Sequence, residues 1–281
     1  FVESDYENAL ISFLEREGWE YLFGDSMSRA NRKEVLNMED LLRFLKDNNK
    51  NVKDDELQRI ADNVRLVGAD TDFATLHKVY KWMIDGISAV NKKGEPVTVR
   101  LIDFEKIDNN IFRVVNQFTV EYINNGVTKT RRPDVLLYVN GIPVCVIELK
   151  NPTDVNATIE DAWEQINIRY WRDIPGLLHY CPLACISDGV KTRLGTVRTP
   201  YEHFYAWRRV ENGDKVSTMP FDELETMVKG VYRPERFLEI FRDYVYFQDE
   251  NYDSDEKEIV CRYPQFFATR LLRESVIKSV K

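Results

Sequence analysis

Two short apolar runs separated by an Asn-Gly pair form the strongest hydrophobic pattern in the chain. The first run covers residues 135–139 and the second residues 142–147, and charged residues stand only at their outer ends. Apolar runs on both sides of Asn-Gly are typical of a β-hairpin. Because the runs are apolar at every position rather than at alternate ones, we expect two strands buried on both faces of a covered sheet.

Three charged residues mark the open end of this predicted hairpin. Asp134 precedes the first strand, whereas Glu148 and Lys150 end the second. Antiparallel strands bring these ends together, and residues two apart in a strand point to the same face. Two carboxylates suit Mg²⁺, and a nearby ammonium can polarise a water or offset charge on a phosphate. We therefore predict a phosphodiesterase site with Asp134 and Glu148 as metal ligands and Lys150 as a catalytic residue; the alternative is a solvated ion-pair cluster.

The register of the hairpin tests this hypothesis. A regular two-residue loop places Ile147 rather than Glu148 opposite Asp134, and so turns Glu148 to the other face of the sheet. A shared metal requires one residue more or less between them. We predict either a three-residue loop with Gly141 at positive φ or a β-bulge near Pro143, which cannot donate a hydrogen bond to the ladder.

Periodic apolar segments surround the hairpin. Helical spacing predicts a first helix that ends at Gly18, a helical elaboration over about 36–92, and two helices over 220–247 that break near Gly230. Between residues 97 and 122 the period changes to two, which predicts strands that complete the sheet of the hairpin.

Composition limits the possible functions. The chain has 281 residues and a formal net charge of −8, so any contact with DNA requires a local basic groove. The spacing Cys181-x-x-x-Cys185 lacks a second pair for zinc, and nothing indicates a disulfide framework. No apolar segment approaches the ~20 residues of a membrane span, and no signal peptide is evident. We expect a cytoplasmic protein with no membrane partner.

The segment PDVLLYVNGIPVCVIELKNPT closely resembles the PD-(D/E)xK nuclease core in the N-terminal region of the R (restriction, HsdR) subunit of type I restriction-modification enzymes. In that family a Pro-Asp, a strand, Asn-Gly-x-Pro and Glu-Leu-Lys-Asn follow one another. The similarity is most specific over residues 99–200. Further matching segments occupy residues 101–104, 115–118, 172–175, 187–189 and 262–265.

The resemblance implies an α/β fold, namely a PD-(D/E)xK restriction-endonuclease-like α/β/α core with a mixed central sheet and an additional helical elaboration. It implies an endonuclease domain (1–247), an acidic linker (248–259) and the start of an absent ATP-dependent translocase domain (260–281). Inside the endonuclease domain we expect the helical elaboration at about 36–92, the nuclease core at about 97–200 and a helical end at 220–247.

The resemblance also implies further site residues. R subunits carry a Gln-x-x-x-Tyr motif that supports the nuclease site, which makes Gln165 a catalytic candidate. Here four residues separate Gln165 from Tyr170, and an α-helix places such residues about 140° apart, so we expect Tyr170 in the core. Glu7, on the first helix, holds a position where related folds carry an acidic residue. It is a catalytic candidate, although helix capping explains it equally well.

Basic residues near the predicted site are candidates for DNA-backbone contacts, although each is equally an ordinary solvated charge. These candidates are Arg131, Arg132, Arg169 and Arg172. Gln265 resembles the adenine-contacting glutamine of the family's motor, which implies cofactor binding there and ATP as a cofactor of the full-length protein. The chain contains no Gly-Lys dipeptide and hence no Walker A loop, so we do not expect it to bind or hydrolyse ATP by itself.

Together these features imply a Mg²⁺-dependent endonuclease that cuts double-stranded DNA after ATP-driven translocation, in a complex with methyltransferase and specificity subunits. Two alternatives stay open: the nuclease arm of another helicase–nuclease complex, and a non-catalytic docking module with the same fold. The joint presence of Asp134, Glu148 and Lys150 argues against the docking module.

Overall fold

The computed structural model of the chain describes residues 3–67, 70–151, 158–216, 222–248 and 256–280. The α-helices are α1 (Glu3–Arg16), α2 (Met38–Asn48), α3 (Asp54–Arg65), α4 (Asp72–Asp85), α5 (Ile159–Glu164), α6 (Trp171–Asp173), α7 (Pro175–Leu178), α8 (Asp222–Met227), α9 (Pro234–Asp243) and α10 (Tyr263–Val280). Two π-helical turns are π1 (Gln165–Tyr170) and π2 (Val228–Tyr232). Short 3₁₀ turns span Gly24–Ser26, Ile107–Asn109 and Tyr201–His203.

The strands are β1 (Glu20–Phe23), β2 (Ile87–Val90), β3 (Pro96–Val99), β4 (Phe112–Asn116), β5 (Val120–Asn124), β6 (Val127–Arg131), β7 (Val135–Val139), β8 (Ile142–Leu149), β9 (Leu183–Ser187), β10 (Thr192–Thr196), β11 (Val245–Gln248) and β12 (Lys257–Val260).

Six of these strands form a mixed central sheet in the order β1-β4-β7-β8-β9-β10. The pairs β1–β4 and β8–β9 are parallel, and the other neighbours are antiparallel. Every residue of β7 and β8 is buried, as the continuous apolar runs predict. The protein is thus a mixed α/β structure with the hairpin at the centre of its sheet, and the connection from β8 to β9 is a parallel crossover.

Helical segments cover both faces of strand β8. The thiol Sγ of Cys145 lies 3.8 Å from the hydroxyl of Tyr232, which ends π2. The carboxylate of Glu148 accepts a hydrogen bond from the hydroxyl of Tyr170, which ends π1. Residues three apart in a strand point to opposite faces, so π1 and π2 lie on opposite sides of the sheet.

The strands predicted between residues 97 and 122 do not all complete the central sheet, and in this respect the prediction was wrong. Only β4 joins it, whereas β3 pairs with β2 and β5 pairs with β6. The physical reason is a tight turn: Asn125 and Gly126, both at positive φ, fold β6 directly back onto β5. The sheet edge beside β4 is occupied by β1, a strand that the apolar pattern did not predict.

The Asn-Gly turn between β7 and β8 is itself buried in the structure. Asn140 and Gly141 have φ values of 52° and 80°, so the loop contains two residues and not three. The Asn140 side chain accepts a hydrogen bond from the Ile111 N–H and donates one to the Leu101 carbonyl. A Cβ atom on Gly141 would lie 2.1 Å from the carbonyl oxygen of Asn37, so close packing as well as positive φ requires glycine.

A β-bulge interrupts the hairpin close to its turn, as the second predicted alternative requires. Leu137 pairs with Cys145, whereas the next residue, Tyr138, pairs with Pro143, and Val144 is left between them. Proline has no N–H to give to the ladder, so the irregularity costs little at this position. The predicted bulge near Pro143 is confirmed.

The helical regions agree with their apolar spacing. Helices α2, α3 and α4 occupy most of the segment 36–92. In the segment 220–247, α8, π2 and α9 occupy residues 222–243, with Gly230 inside π2, and the last residues belong to strand β11. The structure differs from the predicted acidic linker 248–259, because β12 begins at Lys257, inside that range, and pairs with β11. Residues 249–255 of that linker lie outside the described residues. Among the described helices, none is long and apolar enough to cross a membrane.

Candidate active site

The bulge brings the two predicted carboxylates opposite one another. Val135 pairs with Ile147, so the residues immediately outside that pair, Asp134 and Glu148, meet at the open end of the hairpin. The Asp134 N–H lies 3.4 Å from Oε1 of Glu148, and Oδ2 of Asp134 accepts a 2.7 Å hydrogen bond from the Leu149 N–H. The cross-strand contact that a shared site needs is therefore present.

Glu148 is fully buried and receives a hydrogen bond on each carboxylate oxygen. The Tyr170 hydroxyl donates to Oε1 at 2.6 Å, and Nε2 of Gln165 donates to Oε2 at 2.8 Å. Burial, and after it the negative charge of Asp134, raises the pKa of Glu148 well above its usual value, while Lys150 and Tyr170 oppose the rise. A bound cation would oppose this rise in pKa, because its positive charge stabilises the ionised forms of both carboxylates.

Lys150 and Glu148 are connected through one amide side chain. Nζ of Lys150 donates a 3.0 Å hydrogen bond to Oε1 of Gln165, whose Nε2 turns to Glu148. The ammonium can bind only the amide oxygen and the carboxylate only the amide nitrogen, so Gln165 has a single favourable orientation. The Lys150 N–H also donates to the Ser187 carbonyl on β9, which holds the end of β8 against its parallel neighbour.

Tyr170 belongs to this cluster, and its expected separation from Gln165 was wrong. The Tyr170 hydroxyl accepts a 2.8 Å hydrogen bond from Nε2 of Gln165 while donating to Glu148. The 140° estimate assumed an α-helix, but residues 165–170 form π1, in which hydrogen bonds join residue i to residue i+5. A π-turn stacks residues five apart, so Gln165 and Tyr170 meet although four residues separate them. In the family motif only three residues separate the glutamine from the tyrosine.

Glu7 is buried beside the end of β4. Its carboxylate accepts hydrogen bonds from the side-chain amides of Asn116 and, at 3.1 Å, Gln117. Asn116 pairs with Val135, which pairs with Ile147, so by register Asn116 faces the side of the sheet opposite Glu148. These contacts give Glu7 a structural function at the sheet edge, and its membership of the catalytic set stays a prediction.

The predicted DNA-contacting arginines have several partners within the protein. Arg131 and Arg172 both bind the buried carboxylate of Asp173, with Nε–O distances of 2.7 and 2.8 Å. Hydrogen bonds from Arg172, and then from Arg131, lower the pKa of Asp173 to about 2, although burial acts in the other direction. Arg169 lies 3.4 Å from Glu164, and Arg132 is exposed. Two guanidinium groups around one carboxylate leave excess positive charge beside the site.

Gln265 lies in the first turn of α10, far along the chain from the carboxylate pair. Its Oε1 accepts a 2.8 Å hydrogen bond from the Arg262 N–H, which caps the start of that helix. It also lines a cavity of about 890 Å³ together with Arg262 and Glu258. The predicted contact of Gln265 with a nucleotide stays a prediction.

The donor set at the hairpin end fits Mg²⁺. Within the described residues, no group of three or more His, Cys, Asp or Glu side chains is close enough to hold a metal ion. Asp134 and Glu148 could hold such an ion with two carboxylates, and water and phosphate could take the remaining positions. Mg²⁺ keeps several waters and is commonly bound by one or two carboxylates plus a phosphate.

Comparison with known proteins shows one family over most of the chain. Residues 1–203 match the model of the type I restriction enzyme R protein N terminus. A putative type I restriction enzyme MjaIXP endonuclease subunit from Methanocaldococcus jannaschii is 29% identical, in an alignment that covers 99% of this chain and 28% of that protein. The type I restriction enzyme HindI endonuclease subunit from Haemophilus influenzae is 28% identical, with coverage of 98% and 27%.

The chain therefore spans about a quarter of the length of these two relatives. A third relative, the type I restriction enzyme EcoprrI endonuclease subunit from Escherichia coli, is 26% identical over 95% of this chain and 80% of that sequence. The match with all three includes the hairpin, π1 and the strands around them, because the alignments cover nearly the whole chain.

Proposed function

Because the chain belongs to the family of type I restriction enzyme R protein N termini, we propose that it is the endonuclease part of an R subunit. It hydrolyses phosphodiester bonds of double-stranded DNA. One observation supports this most directly: Asp134, Glu148 and Lys150 converge at one end of a buried hairpin, where Gln165 binds both Lys150 and Glu148 and Tyr170 binds Glu148. The PD-(D/E)xK fold is part of the same proposal, supported by the two helical layers around the mixed sheet.

In the proposed reaction, a water oxygen bonds to phosphorus, the bond from phosphorus to a sugar oxygen breaks, and that oxygen takes up a proton. Asp134 and Glu148 would hold Mg²⁺, which, when bound, lowers the pKa of a water and offsets charge on the phosphate. Lys150, which Gln165 links to Glu148, places its ammonium near that carboxylate and stabilises negative charge on the phosphoryl oxygens.

Gln165 and Tyr170 position the reacting groups and do not themselves react. Gln165 fixes the distance between Lys150 and Glu148, since it binds one with its oxygen and the other with its nitrogen. Burial, and after it the charge of Glu148, raises the pKa of Tyr170, so its hydroxyl stays protonated and keeps donating. Outer partners of this kind orient metal ligands in many sites.

The rest of the complex is also part of the proposal. The relatives are about four times longer than the match and are named subunits. We propose that an ATP-driven motor in the full-length protein moves DNA, that methyltransferase and specificity subunits select the site, and that the assembly works in the cytoplasm. Gln265 would contact the nucleotide only in that full-length protein.

The test is DNA cleavage by the assembled full-length complex with Mg²⁺ and ATP. We expect Asp134→Ala and Lys150→Ala to abolish cutting and to leave ATP hydrolysis unchanged. Matched controls are Asp108→Ala and Lys93→Ala, which remove the same charges at exposed positions outside the site and should cut normally.

Cutting at the wild-type rate by both site variants would overturn the proposal and leave this region a non-catalytic docking module. Loss of ATP hydrolysis together with cutting would instead indicate a folding or assembly defect. Copurification of the full-length chain with methyltransferase subunits separates the type I enzyme from another helicase–nuclease machine.

A further inference from the structure

The hairpin of β5 and β6 lies outside the central sheet and leads directly into the candidate site. Strands β5 and β6 pair only with each other, through a two-residue turn at Asn125–Gly126. We call residues 120–132 the β5–β6 arm. Its last residue, Arg132, is separated from Asp134 by Pro133 alone.

The base of the arm is anchored and its outer part is exposed. Val120 is buried, the Glu121 N–H donates to the Arg32 carbonyl, and Arg131 is held by Asp173. By contrast, each residue from 127 to 130 is exposed. A five-residue strand spans roughly 17 Å, so the arm is a ribbon with a fixed base and a free surface.

The arm is positively charged in an acidic chain. It contains three cations, Lys129, Arg131 and Arg132, and one carboxylate, Glu121, which gives a net charge of +2, whereas the whole chain carries −8. Lys129 and Arg131 are two apart in β6 and share a face, which is the face toward Asp173 of α6, the helix that continues π1. The exposed ammonium of Lys129 therefore lies on the same side of the arm as the candidate site.

The apolar residues of the arm do not form a surface for another protein. Ile123 and Val127 are 62% and 57% exposed. Ile123 pairs with Thr128, and Asn124 pairs with Val127, so the two apolar side chains point to opposite faces of the ribbon. Single exposed apolar residues are ordinary on protein surfaces, whereas a docking site needs a contiguous patch.

We propose that the β5–β6 arm lies in a groove of the duplex DNA being cut and holds the phosphate backbone against the carboxylate pair. This inference rests on the proposed nuclease function and adds the surface that grips its substrate. A two-stranded ribbon fits the major groove of B-form DNA. Lys129 binds a phosphate on the face toward the site, and Arg132 binds one next to Asp134. Thr128 and Thr130 lie on the other face of the ribbon and present hydroxyls to the opposite wall of the groove, so the contact is independent of base sequence.

The first experiment measures contact with DNA without cleavage. In the full-length complex that carries Asp134→Ala, a photo-crosslinking benzoylphenylalanine replaces Thr128 on the arm or, as a matched control, Thr98 on β3, which is also an exposed strand threonine. We expect DNA crosslinks from position 128 and none from position 98. Crosslinks from position 128 to protein subunits alone, or none at all, would overturn the inference.

The second experiment measures cutting. Lys129→Glu should slow cleavage about tenfold at roughly 0.15 M salt. The conservative variant Lys129→Arg should cut at the wild-type rate, because only the positive charge is needed. Lys129→Gln should lower the slope of log affinity against log salt by about 1, measured on the Asp134→Ala background. Lys93→Glu, the same charge reversal on the β2–β3 hairpin, should cut at the wild-type rate. Equal rates for Lys129→Glu and Lys93→Glu would contradict the inference.

The two proposals fail in different ways. If Asp134→Ala still cuts DNA, the nuclease assignment fails, while the crosslink from position 128 still reports whether the arm touches DNA. If Asp134→Ala abolishes cutting but position 128 gives no DNA crosslink, the nuclease assignment stands and only the arm is wrong.

Discussion

The turns π1 and π2 contain the same backbone irregularity and lie on opposite faces of strand β8, but their tyrosines meet different surroundings. Tyr170 of π1 binds the carboxylate of Glu148 and the amide of Gln165. Tyr232 of π2 lies beside the thiol of Cys145, and its carbonyl accepts a hydrogen bond from the Trp19 indole. The tyrosine of π1 therefore belongs to a polar cluster, whereas the tyrosine of π2 packs in the apolar core.

This difference shows that a π-turn alone does not identify a functional site, although such turns are frequent there. Burial raises the pKa of both hydroxyls, so both tyrosines are neutral. The partner decides what each hydroxyl does: a carboxylate binds a hydroxyl strongly, and a thiol binds it weakly. Four predictions test or refine the comparison.

The largest expected effect is on cleavage by Tyr170→Phe in the full-length complex. Removal of the hydroxyl takes away the 2.6 Å donor to Oε1 of Glu148 and leaves that oxygen with only the 3.4 Å contact of the Asp134 N–H, which loosens the carboxylate. We expect cutting to fall about 10- to 100-fold, as for outer partners of metal ligands, with ATP hydrolysis unchanged. A rate within twofold of wild type would show that Tyr170 only fills space. Tyr170→Leu, which removes the ring as well, separates loss of packing from loss of the hydrogen bond.

The second prediction concerns the register of π1. Deletion of Ile168, which is half exposed, should convert π1 to an α-turn with Gln165 and the tyrosine four positions apart and again stacked. We expect the deletion to retain cutting within severalfold of wild type. Insertion of one alanine after Ile168 should instead separate the two side chains and reduce cutting roughly tenfold or more. Equal losses from deletion and insertion would contradict the proposed role of the spacing.

The third prediction uses the different continuations of the two turns. π1 runs into α6, where Arg172 and Arg131 hold the pKa of Asp173 at about 2, whereas π2 runs into α9 through Pro234. A carboxyl with a lowered folded-state pKa stabilises the fold above its ordinary pKa near 3.8, and this contribution disappears as pH falls toward 2. Because both arginines are partly exposed, we expect Asp173→Asn to cost only about 1 kcal/mol at pH 7.

That cost should fall to a small fraction of its pH 7 value at pH 2, where wild-type Asp173 is about half protonated. The measurement is thermal unfolding of wild type and variant between pH 2 and pH 7. A constant difference in melting temperature across that range would show that the ion pairs do not contribute to the free energy of unfolding.

The smallest effect is expected for Tyr232→Phe, the matched partner of Tyr170→Phe. The hydroxyl of Tyr232 meets sulfur atoms, and its loss should change the free energy of unfolding by less than about 1 kcal/mol. Cleavage should stay at the wild-type rate. A loss of cutting as large as that of Tyr170→Phe would mean that both turns act on the site through β8, and the comparison would fail.

The hairpin was the part of the fold most accessible from the sequence. Its two apolar runs, the Asn-Gly turn and the position of Pro143 predicted buried strands with a bulge, and these are local properties of about 20 residues. The same reasoning failed for residues 97–122, because alternation shows that a segment is a strand but not which strand it pairs with. Strand β1 was missed because its four residues are mostly exposed at the sheet edge.

The candidate site was predictable in its charged members and, through the family motif, in Gln165, but not in the contacts that the other supporting residues make. Asp134, Glu148 and Lys150 followed from antiparallel pairing and the family motif. The contacts of Glu7 with Asn116 and Gln117, and that of Arg131 with Asp173, join residues 42 to 110 positions apart, so no local pattern reveals them. Tyr170 is buried, as expected, but its separation from Gln165 was wrong because helical spacing assumes one hydrogen-bond register.

The sequence by itself determined the central hairpin, its bulge and the meeting of two carboxylates with an ammonium, because strand alternation and turn chemistry act between neighbours. Tertiary structure decided the register of π1, the two faces of β8 and the separation of the β5–β6 arm from the sheet. A helix changes from α to π hydrogen bonding at modest cost when packing repays it, and packing depends on residues far away in the chain. For this reason Gln165 and Tyr170 meet at Glu148.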